Sequence, residues 1–322
     1  MIRRIASATL ALALLAFGAA AQAQFPSKPV KLIVPYPAGQ ATDIASRIVA
    51  EALGTLWGQQ VVVENIGGGA AIPGVVTAKE ARPDGYTLLA GTSAAMVVNP
   101  AIFAKLPYDT FNDFIFVGPI FRNPLIIVAT DKSPYKTLAD IVDAAKKAPG
   151  KLNWSYPGTG TTQHLTGELF KFTAGIDIQG VLYKGSAQAL QDLLGGSLEL
   201  GVDGVPAMVP HIKSGRLRAI ASTGSTRAPL LPDVPTVAEL GYKGFSGEGW
   251  GGIVIPRGAP MEIVMKISND LRKVMSDPAI QQKLIQNGLV VDNMPREEWL
   301  VFTRADLTKW ADVVKHANIK VD

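Results

Sequence analysis

The sequence predicts an α/β protein built on two sheets of mostly parallel strands, and three observations support this fold class. Apolar segments of strand length alternate with amphipathic segments of helical length along the chain. The connections between these segments are short, as in βαβ units. The chain has 322 residues, which is more than a single hydrophobic core usually serves, so two lobes are expected.

The predicted strands are short runs of apolar and β-branched residues bounded by turn formers. They lie at residues 30–34, 61–64, 86–90, 125–129, 152–156, 181–183, 198–202, 217–222 and 252–255. The predicted helices repeat apolar residues at helical spacing. They lie at residues 42–57, 138–147, 162–174, 187–194, 205–214 and 262–275. Segments 278–286 and 296–316 end the chain, and we interpret the second as a core helix that closes the first lobe rather than a partner-binding helix.

The first 23 residues predict an export signal. Arg3 and Arg4 form a positive start, residues 5–17 form an apolar run, and residues 21–23 read Ala-Gln-Ala. We therefore expect cleavage after Ala23 and a periplasmic mature protein, with a secreted protein as the alternative. No later run reaches the roughly 18 apolar residues that a membrane span requires. The sequence has no cysteine, so neither a disulfide framework nor a lipid attachment site is expected.

The charge balance gives no basis for nucleic-acid binding. The sequence has 31 basic and 27 acidic residues, and removing the two signal arginines leaves 29 against 27. No dense basic run is present, and nucleic-acid binding usually requires one. The apolar fraction of 48% is sufficient for the cores of two lobes.

Two strand-to-helix loops carry the clearest functional signal. The first loop, residues 34–43, reads Val-Pro-Tyr-Pro-Ala-Gly-Gln-Ala-Thr-Asp, and the second loop, residues 155–164, reads Ser-Tyr-Pro-Gly-Thr-Gly-Thr-Thr-Gln-His. The first N–H groups of a helix lack intrahelical acceptors and lie at the positive end of the helix dipole, so they bind anions without a cationic side chain. Neither loop contains Lys or Arg. We predict one small anionic ligand held between two lobes.

The helix after the first loop has a charged stripe and an apolar stripe. Asp43, Arg47 and Glu51 share the first stripe, and Ile44, Ile48 and Ala52 share the second. We expect the charged stripe to be solvated and Thr42 to be the N-cap. An acid at position 43 would compete with a bound anion unless its side chain points away, and the sequence leaves both orientations open.

The motifs argue against catalysis. Residues 91–95 begin like a nucleophile elbow but lack its last glycine. The histidines His164, His211 and His316 are scattered, without cysteine or paired histidine spacing, so neither a triad nor a metal site is indicated. Residues 67–72 lack the third glycine of a dinucleotide fingerprint and predict a tight turn instead. We expect no enzyme activity, no metal and no cofactor.

Six segments in a fixed order resemble the Bug family, the solute receptors of tripartite tricarboxylate transporters. They read Tyr-Pro-Ala-Gly-Gln-Ala-Thr-Asp (36–43), Val-Glu-Asn-Ile-Gly-Gly-Gly-Ala (63–70), Arg-Pro-Asp-Gly-Tyr-Thr-Leu (82–88), Gly-Thr-Gly-Thr-Thr-Gln-His (158–164), Tyr-Lys-Gly (183–185) and Leu-Pro-Asp-Val-Pro-Thr (231–236). The likeness covers essentially the whole mature chain. One departure is Gln40, where the family commonly has a second glycine.

The resemblance implies a two-lobed periplasmic-binding-protein fold of the type II class, with the ligand cleft between the lobes. Residues 24–122 plus 248–322 would form the first lobe and residues 123–247 the second, with crossing strands near residues 118–124 and 247–252. The family holds a ligand carboxylate through backbone amides and ordered water. The implied partners are a small carboxylate and the membrane subunits of a tripartite tricarboxylate-type transporter, with the receptor itself a monomer.

The resemblance also implies which residues line the cleft. From the first lobe they are Tyr36, Ala38, Gly39, Gln40, Thr42, Asp43, Thr92 and Ser93, with Asn99 at the edge. From the second lobe they are Gly158, Thr159, Gly160, Thr161, His164, Tyr183, Lys184 and Asp203. Asp203 would suit a ligand amine or hydroxyl, or it would cap the helix that follows, and both interpretations stay open.

The expected function is capture of a carboxylate by closure of the two lobes, followed by recognition of the closed form by a transporter. One alternative is a periplasmic sensor that presents the carboxylate to a signalling receptor, and a more remote one is an exported enzyme on the same fold. Dicarboxylates, tricarboxylates, amino acids and aromatic acids all fit recognition by backbone amides, so the residues alone select none of them.

Overall fold

A computed structural model describes residues 25–319 of the chain. The predicted signal peptide and the cleavage site after Ala23 lie outside the described residues. Within residues 25–319 no helix has the length and apolar character that crossing a bilayer would require.

Strands and helices alternate along the chain as the sequence predicts. The strands are β1 (Val30–Val34), β2 (Val61–Asn65), β3 (Thr87–Thr92), β4 (Phe114–Thr130), β5 (Asn153–Tyr156), β6 (Gln179–Leu182), β7 (Leu200–Gly204), β8 (Leu217–Ser222), β9 (Glu248–Pro256) and β10 (Val290–Val291). The helices are α1 (Ala41–Trp57), α2 (Ile72–Lys79), α3 (Asn99–Ile102), α4 (Leu138–Lys147), α5 (Thr162–Ala174), α6 (Ser186–Gly195), α7 (Val205–Lys213), α8 (Met261–Met275), α9 (Pro278–Gln286) and α10 (Arg296–His316). A 3₁₀ turn at Gly69–Ala71 and a π-helical turn at Ala94–Val98 complete the set.

The long strand β4 connects two sheets. Its residues 114–124 pair with β9 in a first sheet of order β2-β1-β3-β9-β4, to which β10 adds. Its residues 125–130 pair with β7 and β8 in a second sheet, which continues through β5 to β6. The strands form one continuous hydrogen-bonded path because β4 belongs to both sheets.

Strand directions confirm the parallel prediction in part. The pairs β1–β2, β1–β3, β5–β6 and β5–β7 are parallel. The strands β4 and β9 are antiparallel to their neighbours, so both sheets are mixed. The apolar runs predicted β4 only from residue 125, while the family resemblance implied a crossing strand near residues 118–124. Gly118, Pro119 and Pro124 are unusual inside a strand. The structure accommodates them with register shifts between Phe116 and Gly118 and between Pro119 and Phe121.

Each face of the first sheet is covered by helices. On one face α1 and α8 bury Leu53 and Ile267 against the sheet. On the other face α10 places Trp299 and Trp310, both fully buried, beside Phe116. This packing agrees with the interpretation of residues 296–316 as a core helix. In the second sheet one face packs on α4 and α5 and the opposite face on α6 and α7.

Strand β9 leaves no space for a side chain at Gly252. A Cβ there would lie 2.5 Å from the Gly118 carbonyl oxygen and 2.5 Å from the Trp299 ring. We expect Gly252→Ala to lower the free energy of unfolding by roughly 1–3 kcal/mol, because neither the strand nor the buried ring can move freely. Urea unfolding measures the change.

The control is Gly195→Ala at the end of α6, where a Cβ would meet nothing within 4 Å. Alanine is the better helix former, so this variant should be neutral or slightly more stable. Equal loss of stability in both variants would contradict the packing described for β9.

Candidate functional site

The first loop leaves the start of α1 without a side-chain cap. The N-cap residue is Gln40, with extended backbone angles (φ −77°, ψ 162°) and no capping hydrogen bond from its side chain. The prediction of Thr42 as N-cap is wrong, because the helix already begins at Ala41. The N–H groups of the first turn are therefore available to an external acceptor.

Asp43 organises the first loop from within. Its carboxylate accepts hydrogen bonds from Gly39 N at 2.8 Å, Arg47 Nε at 3.1 Å and Asn65 Nδ2 at 2.8 Å. The expected solvated position is wrong for this residue, whose exposed fraction is 2%. Burial opposes ionisation, but the hydrogen bonds from Arg47, Gly39 and Asn65 outweigh it, so the pKa of Asp43 lies below its ordinary value. The carboxylate points back into the loop and not toward the free N–H groups.

The other predicted first-loop residues divide into exposed and bonded groups. Ala38, Gly39 and Gln40 are exposed. The Tyr36 hydroxyl lies 2.8 Å from the Thr92 hydroxyl, and burial raises the pKa of Tyr36. These two hydroxyls are therefore already paired with each other.

The wall behind the first loop is a tight turn, as predicted. A Cβ on Gly67 would lie 3.0 Å from the Pro37 ring, so only glycine lets the turn approach the loop this closely. Asn99, which was expected at the edge of the site, is buried and donates to Ala70 O at 2.7 Å. Its side chain supports the turn.

The second loop is held by its own side chains. Thr161 is the N-cap of α5, and its hydroxyl accepts from His164 N at 3.3 Å and donates to Gly158 O at 2.8 Å. Gly160, in the left-handed region at φ +68°, donates its N–H to His164 Nδ1 at 3.2 Å. Thr159 is exposed at the tip. The cap occupies the His164 N–H and leaves the N–H groups of residues 162 and 163 open, whereas α1 has no side-chain cap.

The two loops share one local arrangement. In each, a glycine with positive φ donates its N–H to the side chain four residues later, at the third position of the helix. Gly39 donates to Asp43 in the first loop, and Gly160 donates to His164 in the second. A polar side chain thus folds back onto the loop in both cases, and the helix N-terminus beyond it stays open.

Burial lowers the pKa of His164 to about 4, with a smaller contribution from the positive charge of Lys171. The ring is therefore neutral near pH 7. Its Nδ1 accepts the Gly160 N–H, so the proton of the neutral ring is on Nε2. Protonation of Nδ1 would break this bond.

Tyr183 and Lys184 interact with the second loop and its surroundings mainly through their backbone N–H groups. Tyr183 N donates to Tyr156 O at 2.9 Å, which holds the end of β6 beside the loop. The Tyr183 hydroxyl donates to Asp192 at 2.7 Å. Burial, followed by the hydrogen bond and charge of Asp192, raises the pKa of Tyr183 to about 12. Lys184 is exposed, and its N–H bonds to Gln188.

Asp203 is buried at the end of β7, with an exposed fraction of 2%. Its Oδ1 accepts from Gly204 N at 2.7 Å and from Gln163 Nε2 at 3.1 Å. The N-cap of α7 is Gly204, so the interpretation of Asp203 as a helix cap is wrong. Sequence reasoning missed Gln163, although its position in the first turn of α5, between Thr161 and His164, was a usable signal.

A chain of contacts connects the two loops. Tyr36 of the first loop bonds to Thr92 at the end of β3, and the next residue, Ser93, accepts a hydrogen bond from Trp250 N at 3.2 Å. Trp250 shares a buried apolar cluster with Leu165 in the first turns of α5. The start of α5 therefore lies against the first sheet, close to the wall of the first loop.

An ion-pair network that sequence reasoning missed joins the crossing strands. Arg122 of β4 bonds through Nη1 to Glu248 of β9 at 3.2 Å and through Nε to Asp292 at 2.9 Å, and its guanidinium covers the Phe302 ring. Burial would lower the pKa of Arg122, but the charges of Asp292 and Glu248 outweigh it and raise the pKa. The sequence signal for this network was Arg122 itself, a charged residue among mostly apolar neighbours.

Two α/β sheets that share the strand β4, with open helix N-termini at strand ends, are the arrangement expected of a periplasmic solute-binding protein. The chain matches the tripartite tricarboxylate transporter family receptors over residues 45–319, and it belongs to that family. It is 31% identical over 298 residues to the protein BugT of Bordetella pertussis, covering 92% of this chain and 91% of the relative. The resemblance to the Bug family is confirmed.

Solved structures agree with this assignment. An R. palustris protein solved with adipate superposes with a TM-score of 0.77 at 31% identity, covering 92% of this chain and 99% of that one. MatC from Rhodopseudomonas palustris with bound malate gives a TM-score of 0.72 at 28% identity, covering 90% of this chain and 100% of that one. The protein is thus a solute-binding receptor and not an enzyme, and its family implies export. Among residues 25–319 no His, Asp and Glu cluster could hold a metal ion.

Acidification should destabilise the protein through His164. The folded-state pKa, about 4, is below the ordinary 6.5, so the unfolded chain takes up this proton first. The stabilisation from neutral His164 is complete above pH 6.5 and is lost as the pH falls from 6.5 toward 4. Urea midpoints at pH 7, 5.5 and 4 measure the loss.

The matched variant is His164→Asn, which keeps an acceptor for Gly160 N–H but does not titrate in this range. The unaltered protein should lose more stability than the variant over the same pH interval. Parallel pH profiles of the two proteins would contradict the assignment.

Proposed function

We propose that this protein captures a small carboxylate between its two lobes and delivers it to the membrane subunits of a tripartite tricarboxylate-type transporter. One observation carries the proposal. The first-turn N–H groups of α1 have no side-chain cap, and in α5 only the His164 N–H is capped, so the N–H groups of residues 162 and 163 are open. The loops before the two helices are held by Asp43 and His164. Neither loop supplies a cation, so the anion would be held by amides and helix dipoles.

The same carboxylate would contact both loops. Two of the similar structures are described with adipate and with bound malate. Both compounds are dicarboxylates, which offer the acceptor oxygens that helix N–H groups require. A carboxylate oxygen accepts two or more hydrogen bonds, so one group can receive donors from α1 and α5 together. The rest of the ligand would then lie against Gln40, Thr159 and Asp203, which sit beside the two loops.

Closure follows from contact with both loops. We assign residues 24–122 plus 248–322 to the first lobe and residues 123–247 to the second, with β4 and β9 as the crossing strands. A ligand drives closure only through its stronger binding to the closed state, so a group that touches both lobes contributes most. The closed form would be the one that the transporter recognises.

Proline substitutions test the role of the amides without breaking the helices. Proline is favourable at the first helical position and lacks an N–H. Both preceding residues, Gln40 (ψ 162°) and Thr161 (ψ 159°), have the extended backbone that a following proline requires. Ala41→Pro and Thr162→Pro therefore each delete one amide donor. A hydrogen bond to a charged group contributes about 1.5–3 kcal/mol, so each variant should bind roughly tenfold to hundredfold more weakly.

The ligand is found first by thermal shift of the ligand-free protein with succinate, malate, adipate, citrate, aspartate and benzoate, and affinities follow by calorimetry. A ligand at about a thousand times its Kd should stabilise by about 4 kcal/mol. The control is Met261→Pro at the start of α8, an exposed first helical position after another extended residue. It should bind as the unaltered protein does. A flat panel, or equal weakening by all three prolines, would overturn the proposal.

Delivery is tested separately. Vesicles that contain the membrane subunits should accumulate the identified radiolabelled ligand only when the unaltered protein is added. Ligand binding without stimulated uptake would contradict the proposed delivery to the transporter but not the proposed ligand capture.

A further inference from the structure

Asp203 is a buried carboxylate that uses only one of its two oxygens. Its Oδ1 accepts two hydrogen bonds, from Gly204 N and Gln163 Nε2. Its Oδ2 is buried without a hydrogen-bond partner among the described residues. Leaving a buried acceptor unpaired is costly, and buried polar groups in native proteins nearly always have a partner. The oxygen is therefore a position for a donor that the chain itself does not provide.

The sheet register places this oxygen at the second loop. Strands β5 and β7 are parallel neighbours in which Ser155 pairs with Gly201, so Asp203 falls level with residue 157, at the start of the loop. The carboxyl ends of parallel strands meet at one edge, which is where α/β proteins bind ligands. The Gln163 side chain spans from the first turn of α5 to Asp203. One side chain thus separates the carboxylate of Asp203 from the open amides.

A second buried carboxylate shows what sets Asp203 apart. Glu248 also has one oxygen without a partner, but its other oxygen pairs with Arg122 within the crossing-strand network. No such cation bonds to Asp203 among the described residues, where its partners are an amide and a backbone N–H. A ligand hydroxyl or ammonium supplies the missing hydrogen, whereas a plain methylene leaves the oxygen unpaired.

We infer that Asp203 is a specificity residue that selects carboxylates carrying a hydroxyl or ammonium group close to the bound carboxylate. The inference rests on the proposed carboxylate capture and adds the class of ligand. The Asp203 Oδ2 is paired when the ligand carries a hydroxyl or ammonium group and stays unpaired when it does not. Hydroxy and amino acids should therefore bind about tenfold to hundredfold more tightly than their unsubstituted analogues.

Two matched ligand series test this inference by calorimetry. One series is succinate, malate and aspartate, and the other is glutarate, 2-hydroxyglutarate and glutamate. In the unaltered protein at least one substituted member should exceed its unsubstituted analogue by tenfold or more. Equal binding, or tighter binding of the unsubstituted acids, would overturn the inference and leave carboxylate capture intact. If no member of either series binds, the inference is wrong. The proposed carboxylate capture is then tested by the proline variants and the wider ligand panel.

The variant Asp203→Asn keeps the shape of the side chain and an oxygen for Gly204 and Gln163, but it replaces Oδ2 with an N–H donor. It should lose the preference for the substituted acids, so that their affinities differ from that of the unsubstituted acid by less than about threefold. A preference that survives in this variant would assign the selection to another residue. If the variant does not fold, the preference of the unaltered protein still decides the question.

The control is Asp131→Asn, which makes the same charge change at an exposed position beyond the end of β4. Since β4 is antiparallel to β7, this end of β4 lies at the opposite edge of the sheet from Asp203. The control should keep the full ligand preference. Loss of the preference in the control would show that net charge, and not the Asp203 oxygen, governs selection.

Discussion

A helix cannot satisfy the N–H groups of its own first turn, and such groups are open at residues 41–43 of α1 and at residues 162 and 163 of α5. In most helices a side chain caps them, yet the cap position of α1 makes no such bond. The polar side chains at the third helical positions, Asp43 and His164, bond backward to a glycine and so stiffen the loop without covering the helix end. An aspartate and a histidine thus have the same structural role in the two loops, as acceptors of a glycine N–H.

The crossing strands determine how these two ends meet. Strand β4 carries one sheet into the other, and β9 returns beside it, so the loops belong to different sheets yet stay within reach. The network of Arg122 with Glu248 and Asp292 ties both strands to the segment before α10. Leu165 near the start of α5 and Trp250 of β9 belong to one buried apolar cluster. The two loops are therefore held in relation to each other by the same few strands.

Most helices and the family could be predicted from the sequence, because both are indicated by short segments of the chain. Helix α4 has the predicted bounds, and a reciprocal cap between Thr137 and Asp140 fixes its start in the structure. The apolar runs did not indicate the first half of β4, because its prolines and glycine are accommodated by bulges in the pairing with β9. The family resemblance implied a crossing strand there, near residues 118–124. The orientation of the Asp43 side chain was not predictable from the sequence, because Asp43 lies in α1 and its partner Asn65 lies in β2. The pairing of Gln163 with Asp203 likewise joins residues far apart in the chain.

The central claim is that amides from two helices hold one carboxylate, and backbone amide NMR of ¹⁵N-labelled protein tests it most directly. A bound carboxylate identified by thermal shift is titrated while the N–H signals of residues 41–43 and 162–163 are followed. The account predicts large shifts at both helix starts with one common dissociation constant. Saturable binding that shifts neither set, or only one of them, would contradict it.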